Sequence, residues 1–263
     1  MFKLIASDMD GTLLDENGQV PPETYELILA LHEHGVHFAA SSGRRYDRLC
    51  EFFAPVRDKM DFVAANGAQV YADGKMVDRE VYSHLAIRRL AQAVRTFPNL
   101  HLALFDRTKS FLLDDECKFV REVDKDLPNA ERIWELPDSS VNIIKASIFA
   151  MTVPLWTVPT YCSASLASSL PLRLLETMDR CHAARCVESL GNRAAHGALW
   201  RRTRRGHGVW RLDERLRDHS LCRHGLRDGN ARPALKAVAD RVVGCNRDHA
   251  VQQELRRVLE SLS

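Results

Sequence analysis

The sequence lacks the features that mark membrane and secreted proteins. No apolar run reaches the roughly 18 residues that a membrane-spanning helix needs. The opening residues, MFKLIASD, lack the long apolar region and the small-residue cleavage site of a signal peptide. The formal net charge is only +2 over 263 residues, so the chain as a whole is not biased toward nucleic acid or a membrane surface. We therefore expect a cytoplasmic protein that binds neither a membrane nor a nucleic acid.

Paired cysteines are also missing. The chain has seven cysteines, an odd number, and none of them form a Cys-x-x-Cys pair. In a cytoplasmic chain this pattern favours free thiols over disulfides. Cys181, His182 and Cys186, with His196, are a weak candidate zinc site because the usual paired spacing is absent.

The first 150 residues alternate between strand and helix patterns, in a chain of ordinary globular composition with 45% hydrophobic and 27% charged residues. Short apolar runs that end in turn residues predict strands, and longer periodic runs flanked by proline or glycine predict helices. Parallel strands are joined by crossover helices, so this alternation predicts an α/β fold with a parallel sheet. The stretches are, in order, KLIAS, PPETYELILALHEHG, VHFAASSGR, YDRLCEFFAPV and DFVAANGA, followed by a hairpin around Asp73 and Gly74.

A second α/β unit is predicted from about residue 82, inserted into the first. The last segment, residues 229–263, contains two helical patterns and ends in the amphipathic AVQQELRRVLESL. The stretches of the inserted unit are a helix at HLAIRRLAQAVRTF, strands at LHLALFD and KSFLLDD, a helix near ECKFVREVDKDL and a strand near NIIKASIFA.

Two aspartates follow the first predicted strand. Asp8 ends the strand and Asp10 lies two residues on, at the edge where α/β proteins bind their ligands. Two carboxylates this close repel each other, which favours binding a divalent cation or holding a proton. A hard cation such as Mg²⁺ prefers oxygen ligands and usually brings a phosphate with it. We predict that Asp8 is a nucleophile that forms an aspartyl-phosphate and that Asp10 is the general acid and base.

Small and hydroxyl-bearing residues near the aspartates suit an anion. Gly11 allows a tight backbone turn beside a ligand, and the amides around Gly11 and Thr12 can face a phosphate. The second predicted strand ends in SSGR, where the hydroxyl of Ser42 is available to phosphoryl oxygens. A lone Asp-x-Asp is usually a solvated turn, but the strand before it, the Gly-Thr after it and SSGR together indicate a phosphate site.

At these residues the chain resembles the haloacid dehalogenase superfamily of phosphohydrolases, and more narrowly its Cof-type branch with a large α/β cap. DMDGTLLDE is similar to that family's first motif, SSGR to its second, and ANGA, residues 65–68, to a turn after the third strand. GNARPALKAVADRV and CNRDHAV resemble the closing segment, although His249 stands where a glycine is usual. The resemblance covers about residues 1–150 and 229–263.

The resemblance implies a Rossmann-like parallel-sheet core with an inserted α/β cap domain. We expect the first part of the core at 1–81, the cap at 82–185 and the second part of the core at 186–263. The implied activity is that of a Mg²⁺-dependent phosphatase of small phosphorylated metabolites. The implied site residues are Asp8 and Asp10 for catalysis and for magnesium, Asp10 through its backbone carbonyl, and Gly11, Thr12, Ser42, Gly43 and Asn66 for phosphate.

Two motifs that this family needs are missing. The chain has neither the lysine that neutralises the phosphoryl-aspartate nor the G-D-x-x-N-D loop for the metal. Charge neutralisation of this kind is most of what phosphoryl transfer requires of a protein. Asp213, Glu214 and Asp218, in RLDERLRDHS, are the nearest carboxylates and a weak candidate replacement because the glycine turn is absent.

Residues 151–228 differ in composition from the rest of the chain. They contain no lysine, isoleucine or phenylalanine, but they hold three of the four tryptophans and four of the seven cysteines. Residues 206–228 can be back-translated with permitted codons, and the resulting bases can be read in the frame one base later. In that frame they can encode DMAFGDLTNDYEITRFAGTGYAM, which contains the missing metal loop. Residues 178–190 can spell WIDVMPRGVSKA, which resembles the family's lysine segment. We therefore hypothesise that about 153–228 are translated out of frame, through a damaged gene or an error in the recorded sequence.

Two other functions stay open at this point. If the gene itself is damaged, the chain is a catalytically impaired member of the family that lacks its lysine and metal carboxylates. A remote alternative is nucleic-acid binding by RRTRRGHGVWR, in which arginines alternate with His207 and Trp210. The sequence leaves the phosphorylated substrate and the oligomeric state open.

Overall fold

The structure, a computed structural model, describes residues 4–96, 100–113, 129–150, 172–174, 185–189, 206–209, 224–229, 231, 236–237 and 239–262. The chain divides into two compact units, Met1–Arg79 with Asn192–Ser263 and Glu80–Gly191. The domain limits expected from the sequence stay a prediction. Within the described residues, no helix has the length and apolarity needed to cross a membrane. The helix near ECKFVREVDKDL, the Cys181–His182 metal site and the carboxylates of 213–218 fall outside the described residues.

The described strands and helices follow the predicted alternation over the first 150 residues. They are, in chain order, β1 (Leu4–Asp8), α1 (Glu23–Glu33), β2 (His37–Ser41), α2 (Tyr46–Phe52), β3 (Asp61–Ala64), β4 (Gln69–Ala72), β5 (Lys75–Arg79), α3 (His84–Arg95), β6 (Leu100–Phe105), β7 (Ser110–Leu113), β8 (Glu131–Arg132), β9 (Lys145–Ala150), β10 (Leu172–Leu174), β11 (Arg185–Ser189), β12 (Gly206–Val209), β13 (His224–Arg227), β14 (Arg241–Val242) and α4 (Ala250–Glu260).

The first unit contains an eight-stranded sheet in the order β14-β13-β12-β1-β2-β3-β4-β5. Its strands are parallel from β14 to β3, and β3, β4 and β5 pair antiparallel. This order confirms the predicted α/β class. Because β1, β2 and β3 are parallel, the turns that follow them all lie at one edge of the sheet.

The core of this unit joins the start of the chain to its end. α1 begins after two prolines and buries Ile28 and Leu31, while α4 buries Val251 and Leu255 in the same hydrophobic cluster. Burying an aliphatic side chain of this size stabilises a fold by about 1.5–3 kcal/mol. The predicted C-terminal amphipathic helix therefore packs in the same core as β1 and the turn that follows it.

The closing segment differs from its prediction in one place. The first of the two helical patterns expected in residues 229–263 contains the strand β14, which pairs parallel with Leu226 and Arg227 of β13. Pairing satisfies backbone groups along β13, and the β-branched Val242 favours a strand over a helix.

The second unit contains a six-stranded sheet in the order β10-β11-β9-β6-β7-β8. α3 begins after Ser83, whose hydroxyl accepts a 3.2 Å hydrogen bond from the Ala86 N–H. Its apolar face, with Leu90 and Val94, shares a buried cluster with Leu102 of the sheet. The predicted helix and strands between residues 84 and 150 are confirmed wherever the structure describes them.

Candidate active site

The turn after β1 gives the two predicted catalytic aspartates different surroundings. Asp8 is 4% exposed at the end of β1, whereas the side chain of Asp10 is 62% exposed. Between Asp10 and Thr12 the backbone turns at Gly11, where φ is +64°, a value that glycine adopts readily. Met9 and Leu13 are buried on either side, so the hydrophobic core anchors the turn.

Arg44, at the end of SSGR, holds Asp10 in a bidentate ion pair. Its Nη2 donates to Asp10 Oδ1 at 2.9 Å, and its Nη1 donates to Asp10 Oδ2. The guanidinium lies over the ring of Phe52, 5.3 Å from its centroid. The hydrogen bond to Asp10 raises the pKa of Arg44 above its usual value, and the charges of Asp10 and Asp8 add to this against the opposing effect of burial.

Arg44 is a functional candidate that the sequence reasoning did not select. The signal was present, because this arginine is the last residue of the quoted motif SSGR. Its pairing with Asp10, 34 residues away, depends on the parallel pairing of β1 with β2.

Ser42 and Asn66 are brought together by hydrogen bonds between the turns after β2 and β3. The Asn66 N–H donates to the Ser42 carbonyl at 3.0 Å, and the Ala65 N–H donates to the Arg44 carbonyl at 2.8 Å. Asn66 has a φ of +58°, a left-handed conformation that asparagine tolerates. The Ser42 hydroxyl is buried and accepts from the Arg44 N–H at 3.2 Å and from its Nη1 at 3.3 Å.

Thr12 contacts a carboxylate from the far end of the chain. Its buried hydroxyl donates to Oδ2 of Asp228 at 2.6 Å, across 216 residues. Asp228 is fully buried and directly follows β13. No motif identified Asp228 in the sequence, because it lies at the end of the segment of unusual composition.

All seven predicted site residues therefore lie at one edge of the sheet, Asp8 at the end of β1 and the others on the turns that follow β1, β2 and β3. Within the described part of the chain, no lysine lies on these three turns. The acidic side chains and carbonyls here are oxygen donors only, and such a set fits a hard divalent cation. The arrangement combines a buried carboxylate, an exposed carboxylate fixed by an arginine, and small residues on the adjoining turns.

Comparison with known proteins places these residues in a family context. A sequence model of haloacid dehalogenase-like hydrolases matches residues 5–153. The chain is similar to 5-amino-6-(5-phospho-D-ribitylamino)uracil phosphatase YbjI of Escherichia coli K12, with 32% identity over 131 residues, which are 46% of this chain and 46% of the relative. It is also similar to HMP-PP phosphatase of Serratia proteamaculans, with 34% identity over 73 residues, or 28% of this chain and 27% of the relative.

The fold is also similar to that of a solved structure. The crystal structure of SMU.1108c from Streptococcus mutans UA159 matches with a TM-score of 0.82 at 18% identity, covering 99% of this chain and 100% of the other. The sequence matches are shorter, since the chain spans about half or less of the length of the curated relatives named above.

Proposed function

The chain belongs to the haloacid dehalogenase-like hydrolase family, and from this premise we propose that it is a phosphatase of small phosphorylated metabolites in the cytoplasm. The observation that carries the proposal is the turn after β1, where Asp8 is buried and Asp10 is fixed by Arg44. The two curated relatives are named as phosphatases, which supports the same reaction for this chain.

In the first half-reaction a carboxylate oxygen of Asp8 attacks the phosphorus of a phosphomonoester. A bond forms between Asp8 and phosphorus, the bond from phosphorus to the ester oxygen breaks, and Asp10 gives a proton to the departing oxygen. In the second half-reaction Asp10 takes a proton from water, which attacks the aspartyl-phosphate and releases inorganic phosphate and free Asp8. Arg44 bonds to both oxygens of the Asp10 carboxylate, which orients Asp10 to take the proton from water. When Asp10 carries the proton for the leaving oxygen, one of these two bonds opens and the other keeps the side chain in place.

Backbone amides and side chains around Asp8 would both bind the phosphoryl oxygens. Because the proton of the Thr12 hydroxyl is directed to Asp228, Thr12 contributes through its backbone amide and not through its side chain. Gly11 and Gly43 let the backbone approach closely, and Ser42 and Asn66 add polar groups from the adjoining turns.

A divalent cation, which we take to be Mg²⁺, would be held by the Asp8 carboxylate and the Asp10 carbonyl. These are the oxygen donors that such a cation prefers. When bound, it supplies positive charge to the phosphoryl oxygens. Arg44, on the turn after β2, contributes a positive charge from the protein itself beside Asp10.

The proposal is tested by phosphate release from a panel of small phosphorylated metabolites, with Mg²⁺ and with a chelator. The panel includes 5-amino-6-(5-phospho-D-ribitylamino)uracil and HMP-PP, the compounds in the names of the two relatives. We expect turnover that requires the cation. Asp8→Asn removes the nucleophile, so turnover should fall by at least about 1,000-fold.

Asp58→Asn is the matched control, because Asp58 is an exposed carboxylate on the turn before β3, away from the site. It should leave turnover unchanged. Turnover that survives Asp8→Asn would overturn the proposed mechanism. Absence of turnover both in this chain and in a version with the frame restored over 153–228 would overturn the proposed function.

A further inference from the structure

A second group of polar side chains lies at the opposite edge of the first sheet. His37 is the first residue of β2, Asp61 is the first residue of β3, and Asp73 lies in the turn between β4 and β5. Ser42, by contrast, follows the carboxyl end of β2. The five residues of β2 place the two edges roughly 13 Å apart. This group is therefore separate from the candidate active site.

The ligand atoms of the three side chains converge. His37 Nδ1 lies 3.0 Å from Asp61 Oδ2 and 4.0 Å from Asp73 Oδ1, and one atom from each residue lies within 4.8 Å of the others. A metal ion with bonds of about 2.1 Å places its ligand atoms roughly 3.0–4.2 Å apart, depending on geometry. The separations seen here fall close to that range, so an ion fits with small side-chain rotations.

Burial and hydrogen bonding hold one side of the group rigid and leave the other open. Asp61 is 2% exposed, and its Oδ1 accepts the Asp73 N–H at 3.1 Å, which positions the hairpin turn over it. His37 and Asp73 are partly exposed. An ion bound here would therefore have protein ligands on its inner side and water on its outer side, as in sites with incomplete protein coordination.

The ligand types distinguish this group from the Asp8 turn. One imidazole with two carboxylates suits a first-row divalent ion such as Zn²⁺, whereas Mg²⁺ prefers an all-oxygen set. Two carboxylates facing one imidazole also supply the negative charge that offsets the charge of such an ion. We propose that His37, Asp61 and Asp73 form a Zn²⁺ site that joins β2, β3 and the β4–β5 hairpin.

The alternative occupant of the same space is a proton on His37, which would make the group an ordinary ion pair. The two differ in a measurable way, because an ion must displace the proton between Nδ1 and the carboxylates. Zn²⁺ binding here should therefore weaken as the pH falls, and it should stabilise the fold in proportion to occupancy.

The test measures Zn²⁺ binding to the full chain by competition with a chromophoric chelator, with excess Mg²⁺ to occupy oxygen-only sites. Asp73→Asn removes one ligand charge while keeping the turn, since asparagine tolerates the φ of +51° found here. We expect this variant to lose one Zn²⁺ equivalent, or to bind it at least about tenfold more weakly. Zn²⁺ should raise the Tm of the parent chain by more than that of the variant.

His37→Gln should give the same loss, and Asp58→Asn, an exposed carboxylate outside the group, should bind Zn²⁺ like the parent. Binding by cysteine thiols is common to all these chains and cancels in the comparison. Equal Zn²⁺ stoichiometry and affinity in the parent, Asp73→Asn and His37→Gln would show that the group is an ion pair only.

Discussion

Residues 4–64, which include β1, β2 and β3, and residues 151–228, which contain β12 and β13, contribute to the same sheet but differ in their apolar residues. Ile5 of β1, Phe38 of β2 and Phe62 of β3 meet in one buried cluster, as adjacent strands of a parallel sheet require. Residues 151–228 contain no isoleucine and no phenylalanine, although β12 and β13 of the same sheet come from them. The match to the family model ends at residue 153, where the out-of-frame segment was predicted to begin.

β13 shows the consequence at the level of single residues. Arg227 and Asp228 are both fully buried, and burying charge is costly even where partners compensate. The reading one base later places alanine and methionine at these two positions, in the stretch TGYAM. Two buried positions therefore receive apolar side chains only in the shifted frame. The difference supports the frame hypothesis, which stays a prediction.

The largest expected effect comes from restoring the frame over 153–228. The restored chain would regain the lysine and the metal loop, and each lost group of this kind typically costs about 100- to 1,000-fold in rate. We expect phosphatase turnover to rise by at least about 1,000-fold over the chain as written. Steady-state kinetics on both chains gives the ratio.

Sequencing of the gene and an intact-protein mass then separate a damaged gene from a recording error. A gene that encodes this chain in frame excludes the recording error. Equal turnover in the two chains would mean that the region 151–228 does not limit the chemistry.

The second effect is on the activity of the chain and concerns Arg44. This residue supplies positive charge from the first 150 residues, whereas the family's lysine is absent from residues 151–228. Arg44→Ala should lower kcat of the chain as written by about 100-fold, because it removes both the charge and the orientation of Asp10. The frame-restored chain should lose less, since its lysine supplies charge independently. Arg44→Lys should recover only part of the activity, because a lysine cannot form the bidentate pair.

Arg48→Ala is the matched control for Arg44. Arg48 is an exposed arginine of α2 that pairs with Glu51 one turn away. It should leave kcat unchanged. If Arg44→Ala reduced kcat equally in both chains, Arg44 would act only by orienting Asp10.

The sequence predicts those features of the fold that depend on residues close together in the chain. β1, α1, β2 and the hairpin at Asp73 and Gly74 were predicted because local periodicity and turn residues determine them. The motif SSGR contains Arg44, but its pairing with Asp10 joins residues that only the sheet brings together, so no local pattern predicts that partner. The roles assigned to the site residues stay predictions.

The longest-range contact of the site was beyond sequence reasoning for a different reason. Asp228 lies in the region whose residues match no family pattern, and its contact with Thr12 crosses β12, the strand between β13 and β1. The short strand β14 is similar, because two residues are too few for a local pattern to predict and the pairing with β13 completes it.

The third effect is on stability, and it compares one dipeptide in two surroundings. Arg227→Ala with Asp228→Met replaces buried charges by the apolar residues of the shifted frame, so the free energy of unfolding should stay level or rise by about 1–4 kcal/mol. The same dipeptide occurs at Arg57 and Asp58, where both side chains are exposed. The double substitution Arg57→Ala with Asp58→Met should change the free energy by less than about 0.5 kcal/mol.

Urea unfolding of the parent and both double variants measures these differences. A marked loss of stability in the buried pair would show that Arg227 and Asp228 are well compensated where they lie. In that case the buried charges of Arg227 and Asp228 would no longer be evidence that residues 151–228 suit the sheet less well than β1, β2 and β3 do.

The smallest expected effect is on the pH dependence of stability, and it concerns a local hydrogen-bonded turn in the closing segment, residues 229–263. Asp248 accepts hydrogen bonds at 3.0 Å from both the Sγ and the backbone N–H of Cys245, just before α4. These bonds, the side-chain bond first, lower the pKa of Asp248 below its usual value. A lowered pKa in the folded state means that this contribution to stability is present above the unfolded pKa of about 3.9. It is lost as the pH falls through the folded value.

Asp248→Asn keeps the shape of the side chain but cannot titrate. Urea unfolding between pH 6 and pH 3 should therefore show a smaller decline in stability for the variant than for the parent chain. The difference should be small, because the carboxylate is exposed and solvent screens its interactions. An identical decline in the two chains would mean that the turn before α4 gains nothing from the charge of Asp248, and that the closing segment follows the family pattern by packing alone.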